Sequence, residues 1–429
     1  MRPCDQLSHM TAAEIEGLVE RSLGHLAAGQ DAAALPVLLR LARSVGAAIG
    51  TASTHVGWAN RQVLPWSAAA AIKDAERLHA SGSSISDADN SSAPWACLTF
   101  YGINESVPER RWKALFEATW QGYRSWYLRA GHGARPSLAV ARRQLELYMP
   151  ELVPTWERLV ELTDGDETAA RMLTLYDPPR FLPGCSQAVL TGPTPMLVRN
   201  YDYDPGLCER VVYSTAFTGR RVIGMGDCLW GLLDGMNERG LAVSLAFGGR
   251  EDTGKGFAIP LVVRYLLEVA ETVAEVIAVL TRIPVNMAYN LTLLDRNADV
   301  ATIFVAPATA PEVSRLRAAT NHRGTIPDRP EHASILRSVE RQQTLLDVLA
   351  VKPDPRALVA AFQRPPVYNT AYASGFGTVY TAAYRPDVGR LEYVWPGSTW
   401  QRGFDSPDAM HIAALAGGSA QPSSTESVP

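Results

Sequence analysis

The chain has 429 residues, 47% hydrophobic and 20% charged, enough to bury a large core spread over two or three domains. A formal net charge of -4 at pH 7 gives no electrostatic reason to expect nucleic acid or an anionic membrane surface as a partner. The opening residues MRPCDQLSHMTAAEIEG lack an apolar run of signal-peptide length, and no stretch approaches the roughly 20 apolar residues that cross a bilayer, so the expected location is cytoplasmic.

From Thr11 the sequence TAAEIEGLVERSLGHL places Ile15, Leu18, Val19, Leu23 and Leu26 on one helical face behind a Thr11 to Glu14 capping box. LPVLLRLARSVGAAIG and SAAAAIKDAERLHA read as further helices, so residues 1–80 are expected to form a helical extension. The Ser/Asp-rich residues 81–94 cannot build a core and read as a linker. Residues 95–184 hold a short apolar segment, CLTFYG, and then long helical patterns in which Trp112, Leu115, Phe116 and Trp120 recur at core spacing.

After Cys185 the pattern changes to short strands broken by turn residues: CSQAVLT, MLVRNYDY, RVVYSTAF, RRVIGM, WGLLDGM and LAVSLAF, the signature of antiparallel hairpins. In the turn MNERG, Gly240 supplies a positive φ, which makes Asn237 and Glu238 structural. Helices follow in KGFAIPLVVRYLLEVA and TVAEVIAVLTRIP, the second opened by a Thr272 to Glu275 capping box. Strands return in YNLTLLDRNADVATIFVA and SRLRAATNH, a helix runs through ILRSVERQQTLLDVLA, and TVYTAAYRPDVGRLEYVWPG forms a hairpin. Residues 185–416 therefore read as one sheet-and-helix domain and 417–429 as a disordered tail.

Five cysteines, Cys4, Cys97, Cys185, Cys208 and Cys228, form a scattered set without a CxxC pair, which argues for free thiols rather than a disulfide framework or a zinc site. The eight histidines are dispersed without ligand spacing, so no metal or other cofactor is expected. Trp230, Tyr203 and Trp395 read as core aromatics, with the lining of an acyl pocket as their other use.

Cys185 sits at the seam between the two halves, directly after Gly184. Were that bond cut, Cys185 would carry a thiol and a free α-amine, a nucleophile with its own general base. Gly184 suits such a cut because it gives the attacking sulfur room. The alternative is a buried structural cysteine. With Pro193 and Thr194 as the two turn residues of the first hairpin, Cys185 faces Asp202, close enough for a carboxylate to hold the new ammonium. Arg199, three residues earlier on the same strand, would then point to the opposite face unless a bulge or bend intervened.

The strings GCS, RNYDYDP, LLDGMNERGLAVSLAFGG, NLTLLDRNADV, ATNH and SVER, in this order and approximate spacing over residues 95–400, resemble the isopenicillin-N acyltransferase-like family of N-terminal nucleophile hydrolases. Choloylglycine hydrolases, penicillin V acylases and acid ceramidase-type amidases are more distantly similar. The resemblance implies an α+β fold, a four-layered αββα sandwich, and maturation into an α piece ending at Gly184 and a self-associating β piece starting at Cys185. It implies that Cys185 is the nucleophile, that Asp202 binds the α-amine, and that Arg199 lies beside the thiol and favours its thiolate. Asn321 would donate its amide NH₂ to the oxyanion and Arg341 would support the site from a helix. The second oxyanion donor would be a backbone N–H near Leu245 or Ala246, where the bile salt hydrolases have an asparagine and this chain has Ala246.

Asn290, at the start of NLTLLD, is a minor candidate with a strand-start turn role as its other reading. His322 adjoins Asn321, and neighbours on a strand face opposite ways, which speaks against a Cys, His, Asn protease. The activity implied is hydrolysis of a linear amide in a small molecule through a thioester. An acyl-CoA-dependent N-acyltransferase would share every catalytic residue, and an inactive helical interaction protein is the non-enzymatic alternative.

Overall fold

The structure, a computed structural model, describes residues 97–180, 184–250, 252–372 and 377–415. All of them belong to the unit Ser84–Pro429. The helices expected in residues 1–80, the linker at 81–94 and the tail at 417–429 lie outside the described residues.

Before the seam come strand β1 (Cys97–Asn104) and helices α1 (Arg110–Tyr127), α2 (Leu138–Tyr148), α3 (Val153–Leu162) and α4 (Glu167–Leu173). Ser137 and Asp166 cap α2 and α4 by accepting from Val140 N and Ala169 N, which satisfies N–H groups that a helix start leaves open. Trp112, Leu115 and Phe116 are buried as their spacing predicts, and Trp120 stacks on Phe116 with ring centroids 5.1 Å apart.

After the seam the strands are β2 (Gly184–Leu190), β3 (Met196–Tyr203), β4 (Val211–Thr215), β5 (Val222–Asp227), β6 (Gly231–Asn237) and β7 (Leu241–Phe247). Helices α5 (Ile259–Val269) and α6 (Val273–Leu280) follow, then β8 (Tyr289–Asp295), β9 (Val300–Val305), β10 (Glu312–Ser314) and β11 (Ala318–Ala319). The chain continues through α7 (Pro330–Ile335), α8 (Ser338–Ala350) and α9 (Pro355–Phe362) to β12 (Gly377–Arg385), β13 (Arg390–Trp395), β14 (Ser398–Arg402) and β15 (Ala409–Ala414). The Thr272 cap of α6 is present, but its reciprocal bond goes from Glu271 N, not Thr272 N, to the Glu275 carboxylate. Gly240 has φ +88, as the MNERG turn requires.

These strands form a nine-stranded sheet in the order β10-β9-β8-β7-β6-β5-β4-β1-β15 and a six-stranded sheet in the order β11-β2-β3-β12-β13-β14. Helices α5 and α6 cover the outer face of the larger sheet, α8 and α9 that of the smaller, and β2 and β3 pack inward against β7 and β8. This is an α+β fold with four αββα layers. Because β2 and β3 lie between a sheet and a helix layer, nearly every residue in them is buried. The outer core under α8 and α9 joins Ala188, Leu190, Met196 and Val198 to Leu345, Leu349, Leu358 and Phe362. Each such leucine or valine contributes roughly 1.5–3 kcal/mol on burial.

Two features depart from the sequence reading. β1, from the segment before Cys185, lies inside the larger sheet, parallel to β4 and antiparallel to β15, so that segment is not purely helical. The first hairpin closes at Leu190 and Met196 over the five residues 191–195, with Gly192 at φ +119, instead of a two-residue turn. The register therefore slips by one: Gly184 faces Asp202 and Cys185 faces Tyr201.

Candidate active site

That single-residue difference decides the layout. Period-two alternation puts Cys185, Gln187, Arg199 and Tyr201 on the inner face of the smaller sheet. Gly184, Ser186, Asn200 and Asp202 face the helix layer. No bulge is needed in β3 between Arg199 and Asp202. The register shift lies in the neighbouring strand, between Thr378 and Tyr380 of β12, and the candidate site uses both faces of β3.

On the inner face the fully buried Cys185 Sγ accepts from Arg199 Nη2 at 3.0 Å. Arg199 Nη1 donates to Tyr380 OH at 3.1 Å and forms a fully buried ion pair with Asp234 of β6, across the sandwich. Tyr380 OH donates to Asp234 at 2.6 Å, and Tyr384 OH donates to the other carboxylate oxygen. The guanidinium lies over the Tyr201 ring at 5.0 Å. Burial works against its charge, yet Tyr380, Cys185 and Asp234 outweigh burial and hold its pKa high. Asp234, Tyr380 and Tyr384 thus anchor Arg199, and none of the three stood out in the sequence.

On the helix side Arg341 of α8 gathers the main chain. Its Nη1 donates to Cys185 O at 2.6 Å and Ser186 Oγ at 2.7 Å, and its Nη2 donates to Asn321 Oδ1 at 2.7 Å. Since Arg341 can only donate, the Asn321 oxygen must face it, and the same oxygen accepts the Cys185 N–H at 3.0 Å. Asn321 Nδ2 is turned to Phe247 O at 3.0 Å. Asp202 Oδ1 accepts from Thr378 Oγ1 at 2.7 Å. Its Oδ2 stands 3.6 Å from Arg341 Nη1 and, although buried, has no hydrogen-bond partner among the described residues.

Burial pushes the Cys185 thiol up; Arg199 opposes this and Asp202 adds to it, so in the intact chain burial prevails over the arginine. Burial likewise raises Asp202, against Arg341 and Thr378. Burial lowers Arg341, against Asp202 and Cys185.

Ala246 faces Asn290 in the β7/β8 ladder. Gly248 N donates to Ala288 O at 2.9 Å, and ladder alternation then directs the Ala246 N–H toward Asn290 O. Asn290 is no strand cap: its Nδ2 donates to Thr320 O and His322 O, both at 2.8 Å, and clamps the residues on either side of Asn321. Trp230 and Trp395 are core residues whose indoles donate to Leu173 O and Val379 O at 2.9 Å. Beside the site, Tyr123 of α1 donates to Glu209 and accepts from Cys228 N at 3.1 Å, while Leu229 N donates to Glu209 at 2.7 Å. Cys228 and Leu229 both have positive φ, 56° and 72°, held by this cluster. Among the described residues Cys185, Cys208 and Cys228 are free thiols, no group of three or more His, Cys, Asp or Glu could hold a metal ion, and no helix is long and apolar enough to cross a membrane.

Two facing sheets between helix layers define the class of fold, a four-layered αββα sandwich, and Cys185 is the second residue of its inner strand β2. Residues 189–400 match the family model for acyl-coenzyme A:6-aminopenicillanic acid acyl-transferase. The segment begins just after Cys185 and contains Arg199, Asp202, Asp234, Asn290, Asn321 and Arg341. Similar solved structures include a mutant conjugated bile acid hydrolase from Clostridium perfringens, 13% identical, covering 54% of this chain and 96% of that one at TM-score 0.38. An N-acylethanolamine-hydrolyzing acid amidase ortholog from Caenorhabditis elegans is 16% identical, covering 50% and 99% at TM-score 0.36. Penicillin V acylase from Agrobacterium tumefaciens is 14% identical, covering 51% and 86% at TM-score 0.37. No curated protein sequence matches the chain significantly.

Proposed function

We propose that the chain cuts itself between Gly184 and Cys185 and then acts on a linear amide of a small molecule through a Cys185 thioester. The observation that carries this is the buried Asp202 Oδ2: an acceptor without a hydrogen bond among the described residues, on the residue that faces Gly184, whose chain neighbour Cys185 would gain an ammonium from the cut. In the cut, Cys185 Sγ adds to the Gly184 carbonyl carbon and the C–N bond breaks. The released Cys185 nitrogen takes up the thiol proton, and water hydrolyses the thioester to leave a Gly184 carboxylate. Asn321 Oδ1, on the Cys185 N–H, and Arg341, on Cys185 O, hold the scissile bond for this attack.

In turnover the Cys185 α-amine accepts the thiol proton as Sγ adds to the substrate carbonyl, and passes it to the leaving amine. Water then resolves the thioester. The Asn321 NH₂ serves the oxyanion once it leaves Phe247 O. The family's description favours a second reading in which an acyl-CoA loads Cys185 and an amine takes the acyl group. The residues before Cys185 act as the α piece and remain bound, and the free thiols fit a cytoplasmic setting.

The test is release of p-nitroaniline from straight-chain acyl p-nitroanilides, beside amide formation from acyl-CoA and added amines, with Cys185→Ala as control. Turnover of either set that disappears in the control supports the reading. Turnover that survives in Cys185→Ala contradicts it.

A further inference from the structure

We propose that His322, uncharged and carrying its proton on Nε2, is a positioning residue that grips α8 on both sides of Arg341 and thereby sets Arg341 against Asn321. This rests on the Cys185 reading above. The tautomer follows from its neighbours. Gln342 Nε2 donates to Ala318 O at 3.2 Å and Gly324 O at 2.9 Å, which turns its Oε1 toward His322 Nε2 at 3.1 Å. An amide oxygen only accepts, so Nε2 carries the hydrogen. Thr320 Oγ1 spends its hydrogen on Ser338 O at 2.8 Å, which leaves Ser338 Oγ, 3.0 Å from His322 Nδ1, as the donor there.

Ser338 and Gln342 are one helical turn apart on α8, and Arg341 lies between them in sequence. The ring therefore spans a full turn of the helix that carries Arg341, while Asn321 is its direct chain neighbour. From the opposite side Asn290 holds the carbonyls of Thr320 and His322, so the segment bearing Asn321 is fixed from both sheets. All five side chains, those of Asn290, Asn321, His322, Ser338 and Arg341, are buried, so a lost bond leaves a polar group unsatisfied in the core. Burial also lowers the pKa of the ring, with Arg341 acting in the same sense and the Gln342 hydrogen bond and Asp328 against it.

The probe is the protein's own cut, followed by intact mass over time after cell-free synthesis. His322→Phe, which keeps the volume and removes both bonds, is expected to slow the cut roughly 10- to 100-fold. Ser338→Ala and Gln342→Leu are expected to slow it by smaller factors. Combined with Asn321→Ala, His322→Phe is expected to add no further loss, because it acts only through the Asn321 and Arg341 arrangement. A purely packing role would add its cost in both backgrounds. Thermal midpoints are compared in the uncut Cys185→Ala background, and should His322→Phe fail to fold, Ser338→Ala, which removes only a hydroxyl, decides the case. A wild-type rate in the folded variant, or an equal added loss with Asn321→Ala, overturns the proposal. A wild-type chain that stays uncut overturns the Cys185 reading itself and is distinguished by that result.

Discussion

Gly184, not Cys185, faces Asp202 across the β2/β3 ladder, while the Cys185 thiol turns to the other side of the sheet, 3.0 Å from Arg199 Nη2. Thiol and carboxylate thus serve different ends of the same residue: the guanidinium stands by the sulfur, and the carboxylate stands by the main chain that the cut would free. Asp202→Asn keeps the shape and removes the charge. It is expected to lower p-nitroanilide turnover by about 10²-fold or more, since the α-amine loses its orienting anion. Wild-type kcat in Asp202→Asn would exclude this role.

Asp234 is the buried counter-ion of Arg199. Asp234→Ala leaves that guanidinium unpaired in the core and is expected to cost about 3–5 kcal/mol in urea unfolding. Removing both charges with Arg199→Met is expected to recover most of that stability while leaving Cys185 without its donor. Equal stability of Asp234→Ala and wild type would contradict the assignment.

Burial and the neighbouring Asp227 push Glu209 up to about 8, far above an ordinary carboxyl near 4.3. A raised acid stabilises the fold fully below its unfolded value, and that contribution is lost as pH rises toward the folded value, because the unfolded chain ionises first. Wild-type stability should therefore fall between about pH 4.3 and 8 relative to Glu209→Gln. Urea midpoints of the two proteins that run parallel over this range would contradict it.

β1 inserts between β4 and β15, Trp112 Nε1 donates to Leu229 O at 2.9 Å, and Tyr123 reaches Glu209. The two pieces of a cut chain are therefore expected to elute as one species on gel filtration and to separate only in denaturant. Separate native elution would contradict this.

Much of this layout was legible in the residues. Alternating strands and capped helices announce themselves by period, and the spacing of Trp112, Leu115 and Phe116 located a real core face. The hairpin register was not legible, because GPTP fits a two-residue turn as well as the five-residue loop that forms, and one residue moves every side chain to the other face. β15 was missed because its half-exposed AMHIAA gains strand character only by pairing with β1, far away in the chain. Arg199, Asn321 and Arg341 were singled out and are brought together around Cys185. Asp234 was not, since WGLLDGM reads only as a strand, and nothing in it shows that the opposite sheet supplies Arg199, Tyr380 and Tyr384.

The most direct test is the intact mass and N-terminal sequence of the purified protein beside Cys185→Ala. Two fragments meeting between Gly184 and Cys185 are expected in the wild type, with a new N-terminus at Cys185, and one intact chain in the variant. A single uncut chain in both, in protein that still turns over amides, would contradict this.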